Sequence, residues 1–188
     1  MQNTEPKLRI LSLGAGVQSS TMALMADAGE FGVKPDAAVF ADTGWEPEPV
    51  IKHLEYLKSV ISYPIHIVKK GNIQDDILTA LGPGGNQFAS APFYTLNEQG
   101  KKGMGRRQCT REYKITPIER FPKTEYVEVW VGISTDEVMR MKPSRFWWQK
   151  NVWPLIDKRM SRQDCLKWYE GKGFKIPVKS ACIGCPFH

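Results

Sequence analysis

The chain has 188 residues, 41% of them hydrophobic and 24% charged, with a formal net charge of +6. That length and mix support one packed domain and exclude wholesale disorder. No apolar run reaches the roughly 18 to 20 residues needed to span a bilayer, and Met1–Lys7 lacks the basic-then-apolar form of a signal peptide.

A cytoplasmic protein with reduced thiols is therefore expected, and its four cysteines read as ligands or catalysts before disulfides. The positive balance favours anionic partners such as nucleotides, sulfate esters or nucleic acid. The plainer alternative is a basic surface with no ligand.

Leu8–Leu13 reads as a buried strand running into Gly14-Ala15-Gly16, and a helix beginning near Ser19 stops near Gly29 and Gly32. Ala37–Ala41 is a second strand ending at Asp42-Thr43-Gly44-Trp45. Val50, Leu54, Leu57, Val60 and Ile61 recur at helical spacing, and Ile65–Val68 is a third strand. This alternation predicts an α/β fold with a parallel twisted sheet flanked by crossover helices. From Gly82 to Gly105 the Gly, Pro, Ser and Asn content predicts a long irregular loop, either a substrate lid or a disordered stretch. A basic helix follows over about 109–121, then a fourth strand over 126–132. Ser161-Arg162-Gln163-Asp164 has capping-box form and opens a last helix through Tyr169.

Three features carry chemistry. The order strand, Gly14-Ala15-Gly16-Val17-Gln18-Ser19-Ser20, helix presents backbone N–H groups at a helix N-terminus, where a phosphate is favoured. It is neither a Walker A loop nor Gly-x-Gly-x-x-Gly, and a tight turn without a ligand is the alternative. Asp42 stands at the carboxyl end of a parallel strand, where open α/β sheets bind ligands, or it serves as a turn residue. Cys182 and Cys185 form a Cys-x-x-Cys pair that can join Cys109 and Cys165 as four thiolates for zinc or a 4Fe–4S cluster. A redox dithiol is the other chemistry open to the pair, and Cys165 is either a ligand or a buried helix residue. Arg106, Arg107, Arg111 and Lys114 surround Cys109 with charge that lowers a thiol pKa and attracts phosphate or sulfate, unless the segment is simply a solvated basic helix.

These segments, in order from Ser12 to Cys185, resemble the phosphoadenosine-phosphosulfate (PAPS) reductase-like family of the PP-loop adenine-nucleotide α-hydrolase superfamily. Gly14–Ser19 resembles the Ser-Gly-Gly-x-Asp-Ser PP-loop, with Gly14 and Gln18 departing from it. Asp42-Thr43-Gly44 resembles the motif after the second strand. Cys109–Ile118 resembles the Cys-Cys-x-x-Arg-Lys-x-x-Pro-Leu segment, with only one of its adjacent cysteines present. Gly132–Arg140 resembles the turn after the fourth strand, and Trp153–Asp157 the segment before the last helix.

The resemblance implies nucleotide contacts from Ser12, Gly14, Ala15, Gly16, Gln18, Ser19, Ser20, Asp42, Thr43, Gly132, Glu137 and Arg140. Catalytic roles fall to Asp42, Cys109, Arg111 and Lys114. It tilts the metal toward a 4Fe–4S cluster on Cys109, Cys165, Cys182 and Cys185, with zinc the alternative. ATP or PAPS is the implied nucleotide, with Mg2+ beside ATP, although Gln18 cannot supply the carboxylate that helps to hold a metal. The implied reaction is sulfur transfer with ATP-dependent activation of an acceptor, tRNA or DNA among the acceptors, and a homodimer is an allowed assembly. PAPS or adenosine phosphosulfate reduction is the alternative. A third reading is a nucleotide- or nucleic-acid-binding module with structural zinc and no catalysis. A reductase also uses a Glu-Cys-Gly-Leu/Ile-His tail, and a ligand pair so close to His188 reads as the mark of a truncated chain, within a Cys-containing segment over about 160–188.

Overall fold

The structure, a computed structural model, describes residues 5–79, 91–122 and 126–187. Five strands form a parallel sheet: β1 (Leu8–Leu13), β2 (Ala37–Asp42), β3 (Ile65–Lys69), β6 (Val127–Val131) and β7 (Gln149–Val152), in the order β3-β2-β1-β6-β7. β1 is central, and adjacent Ile10 and Leu11 are both fully buried because helices cover both faces. On one face lie α1 (Val17–Asp27), α2 (Glu48–Val60), α5 (Pro154–Asp157) and α6 (Arg162–Trp168). α1 is buried along most of its length, from Ser20 to Ala26, because α6 packs over it. The other face is covered by the helix predicted over 109–121, which is a wide π-type turn at Thr110–Ile115 leading into α4 (Thr116–Arg120). The predicted capping box is present: Ser161 Oγ accepts from Asp164 N, and Asp164 Oδ2 accepts from Ser161 N. Among the described residues no helix is long and apolar enough to cross a membrane.

Four elements depart from the sequence reading. A short helix, α3 (Ile73–Thr79), follows Asn72, whose side chain accepts from Gln74 N at 3.0 Å. Its pattern is too brief to register, with Ile73 its one buried residue. The predicted irregular loop over 82–105 contains an antiparallel hairpin, β4 (Tyr94–Leu96) paired with β5 (Lys102–Met104), while residues 80–90 lie outside the described residues. Asn97 closes that hairpin by accepting from Gln99 N and Lys101 N. β7 is an edge strand made largely of polar residues, so no apolar alternation announces it.

Strand order supplies the site. From β1 the chain steps outward through β2 to β3, then returns to place β6 on the opposite side of β1. The crossovers on the two sides of β1 diverge, which opens a crevice at the carboxyl ends of β1 and β6. Gly132, just past β6, closes it from below. A Cβ there would stand 2.9 Å from Ser19 Cα and 3.0 Å from Ser19 N, so only glycine lets the strand end meet the first turn of α1.

Behind that turn, buried Ser20 is 3.2 Å from His53 Nε2. Burial, then the nearby Lys175 charge, pushes His53 down from 6.5 to about 4. Between those values the unfolded chain binds a proton that the folded chain does not, so stability rises with pH across the window. Acidification from pH 6.5 to 4 should therefore remove up to about 3 kcal/mol at about 1.4 kcal/mol per unit. Denaturant titrations should show a shallower slope across this window in His53→Gln; an identical slope in the variant would contradict this assignment.

Candidate functional site

A cleft of about 820 Å³ occupies the crevice. Its floor is the β1–α1 turn: Ser12, Gly14, Gly16, Gln18 and Ser19 all border it, as do Thr43 after β2 and Gly132 after β6. Ser19 Oγ shapes the turn, accepting from Gly14 N at 3.1 Å and donating to Gly16 O at 3.3 Å. Ala15 adopts φ +52°, the left-handed region, and its side chain is buried in the core instead of bordering the cleft. Ser20 likewise faces the core, bonded to His53.

Gln18 is the hub of a charged network. Its amide nitrogen donates to Glu137 Oε2 at 3.3 Å and to Ser134 Oγ at 3.4 Å, while its amide oxygen accepts from Arg162 at 3.0 Å. Arg140 pairs with Glu137 from the other side. A neutral amide is what can satisfy a carboxylate and a guanidinium together, since it carries both donors and an acceptor. An aspartate here would face Glu137 with like charge. Five cations border the cleft (Arg107, Lys114, Arg140, Arg162, Lys179) against two carboxylates, Asp136 and Glu137.

Cys109, Cys182 and Cys185 border the same cleft as the β1–α1 turn. The C-terminal segment docks on the end of β2: Ile183 N donates to Trp45 O at 2.9 Å, Cys185 N donates to Cys182 O at 2.9 Å, and Gly184 lies so close to the Trp45 ring that no Cβ would fit. Cys182 Sγ is 3.3 Å from Thr43 Oγ1 and 3.7 Å from Glu46 Oε1. Glu46, nearly fully buried, also pairs with Lys114 at 3.1 Å. Burial works against the Lys114 charge, but Glu46 and the thiols of Cys182 and Cys185 outweigh it and hold the ammonium above its ordinary value. Burial pushes the Cys182 thiol up, against the pull of Lys114.

Cys165 does not join them. It lies fully buried on α6 in the core against α1, where burial pushes its thiol up to about 11. The four-thiol set of the sequence reading is thus three thiols on one cleft and one core residue. The three cleft thiols are of the donor type that Fe–S clusters use. Among the described residues, however, no three His, Cys, Asp or Glu side chains are gathered as a metal-binding group. Two other predicted residues stand off the cleft. Arg111 is exposed on the π-type turn. Asp42 accepts from Gly44 N at 2.7 Å and pairs with Lys69 at 3.2 Å.

No family model matches the chain, and no curated protein matches it. Solved structures do. A phosphoadenylyl-sulfate (PAPS) reductase from Candida auris, in its phosphate complex, is 13% identical with a TM-score of 0.61, covering 93% of this chain and 76% of that one. A U34-tRNA thiolase from Methanococcus maripaludis, with its 4Fe–4S cluster, is 16% identical with a TM-score of 0.51, covering 96% of this chain and 61% of that one. The chain has the PP-loop adenine-nucleotide α-hydrolase fold. Both neighbours fit the PAPS-reductase-like resemblance of the sequence; at these identities the likeness is one of fold.

Sequence reasoning missed Glu46, Arg162 and Lys179. Glu46 sits one residue beyond Trp45, and Arg162 lies inside the capping box, so neither carried a signal apart from those motifs. The split of the cysteines is directly checkable. Cys165→Ser should cost about 1–3 kcal/mol, the price of a hydroxyl in a core position, whereas Cys109→Ser on the cleft wall should change stability by under about 0.5 kcal/mol. Equal denaturation midpoints for the two variants would contradict their placement.

Proposed function

We propose that this chain is an adenine-nucleotide-binding sulfur-transfer enzyme. The observation that carries this reading is that the β1–α1 turn and Cys109, Cys182 and Cys185 border one cleft. In it, the nucleotide phosphates sit at the turn, where Gly14 and Gly16 let the backbone approach and the N-terminus of α1 favours negative charge. Arg140, Arg162 and Lys179 neutralise the anion from the rim. An acceptor oxygen attacks the α-phosphorus of ATP; the new P–O bond forms as the bond to pyrophosphate breaks. Sulfide (HS−) from a separate donor then attacks the acceptor carbon; the C–S bond forms as the C–O bond breaks, and AMP leaves with the oxygen. Cys109, Cys182 and Cys185 would hold a 4Fe–4S cluster, which when bound supplies sulfur-handling chemistry. Lys114 and Glu46 orient the wall around Cys182. The acceptor is a nucleic acid, a reading supported by the basic rim and by the fold shared with a tRNA thiolase.

One observation favours a second reading. Gln18 is bonded to Glu137 and Arg162 and offers no carboxylate to a metal, which suits reduction of a sulfonucleotide, a reaction without phosphoanhydride activation. Anaerobically purified protein separates the two. With ATP, Mg2+ and tRNA, pyrophosphate should be released, and serine at Cys109, Cys182 or Cys185 should lower bound iron several-fold. Sulfite from PAPS in the presence of an added dithiol reductant, with no pyrophosphate from ATP, would replace the transferase by the reductase. Stoichiometric zinc with neither product would leave a binding module.

A further inference from the structure

The segment from Val138 to Lys150, which runs from the cleft into edge strand β7, has no part in the chemistry above except through Arg140. It carries four cations, Arg140, Lys142, Arg145 and Lys150, and no acidic residue. It also exposes apolar surface: Trp147 is 87% exposed, Met139 76% and Val138 47%. Three exposed large apolar side chains within ten positions of chain are more than the single scattered ones of an ordinary surface.

This surface is held in place. Asn151 donates to Lys142 O at 3.0 Å, Met141 N donates to Val138 O at 3.0 Å, and Phe146 N donates to Ser144 Oγ at 3.1 Å. Phe146 and Trp148 stack with ring centroids 5.0 Å apart. Arg145 lies over the Phe146 ring and bonds Glu119 at 2.8 Å. Two aromatic rings and one arginine thus fix the loop from within, and Trp147 is the ring that it turns outward.

We infer that the Val138–Lys150 loop docks single-stranded nucleic acid, with an unpaired base stacked on Trp147 and phosphates on Lys142 and Lys150, and leads it to the cleft at Arg140. A protein-binding surface would centre on an apolar patch depleted of charge. Here an exposed indole lies within a stretch of chain that carries Lys142, Arg145 and Lys150 and no acidic residue, the combination of charge and π face that holds a strand with bases free to stack. A duplex keeps its bases paired and gives Trp147 nothing to stack on. Stacking and phosphate contact read neither sequence nor sugar, so ribose and deoxyribose strands both qualify. The inference rests on the nucleic-acid-acceptor reading and names the surface that serves it.

Fluorescence anisotropy with labelled 20-nucleotide oligouridylate and oligothymidylate tests it on the full chain. Trp147→Ala should weaken both roughly 5- to 150-fold. Lys142→Gln with Lys150→Gln should reduce the slope of log K against log salt by about 1.4, or about 0.7 for each phosphate left without its lysine. Adenine-nucleotide binding, followed in parallel, should be unchanged in both variants and shows that they fold. Wild-type binding that survives both variants would overturn the loop assignment and leave the nucleic-acid acceptor standing. Absence of wild-type binding to either oligonucleotide would overturn both. Duplex binding as tight as single-strand binding would reduce the loop to charge alone and remove Trp147 from it. A wild-type dimer that Trp147→Ala dissolves would assign the patch to a second copy of the chain.

Discussion

The contact between Gly132 and the first turn of α1 governs the rest of the site. The reversal of strand order at β1 opens a crevice, but its floor exists only because β6 ends against the Ser19 backbone, where a Cβ would stand 2.9 Å from Ser19 Cα. That approach seats the short helical turn Thr135–Arg140, which follows β6, beside α1 and so brings Glu137 within 3.3 Å of Gln18. A second close approach, Gly184 on the Trp45 ring, docks the C-terminal turn on the end of β2 and carries Cys182 and Cys185 to the same cleft. The β1–α1 turn and the thiols meet through backbone proximity at these two points.

The electrostatics follow from that geometry. A surplus of cations surrounds the cleft, and Glu46, a buried charge beside Cys182, is paired with the partly exposed Lys114 of the lining, as a buried charge must be if it is to remain ionised. Gln18 plays the same compensating part at the floor. It joins a carboxylate to a guanidinium without adding charge, so Arg162 is positioned over the turn while Glu137 stays occupied with Gln18 and Arg140.

Much of this was legible in the residues. The four apolar strands and the helices between them announced a parallel sheet, and Ser161 with Asp164 marked the last helix by a cap whose two bonds are present. What escaped was local or long-range. α3 and the β4–β5 hairpin are too short for periodicity to reveal them, and β7 is a polar edge strand. Cys165 could not be told from a ligand because free cysteine packs like a small apolar residue; only the seating of α6 on α1 decides it. Glu46 gave no signal because its meaning lies in Lys114, 68 positions away in the chain.

The central claim is that nucleotide and thiols share one cleft, and alkylation protection tests it most directly. The reduced chain is treated with a maleimide, and the rate at each cysteine is read by mass spectrometry with and without ATP or PAPS. Bound nucleotide should slow modification of Cys109, Cys182 and Cys185 together, along one saturation curve, with Cys165 unreactive throughout. Unchanged rates at all three cysteines while nucleotide is demonstrably bound would separate the two sites and contradict the account.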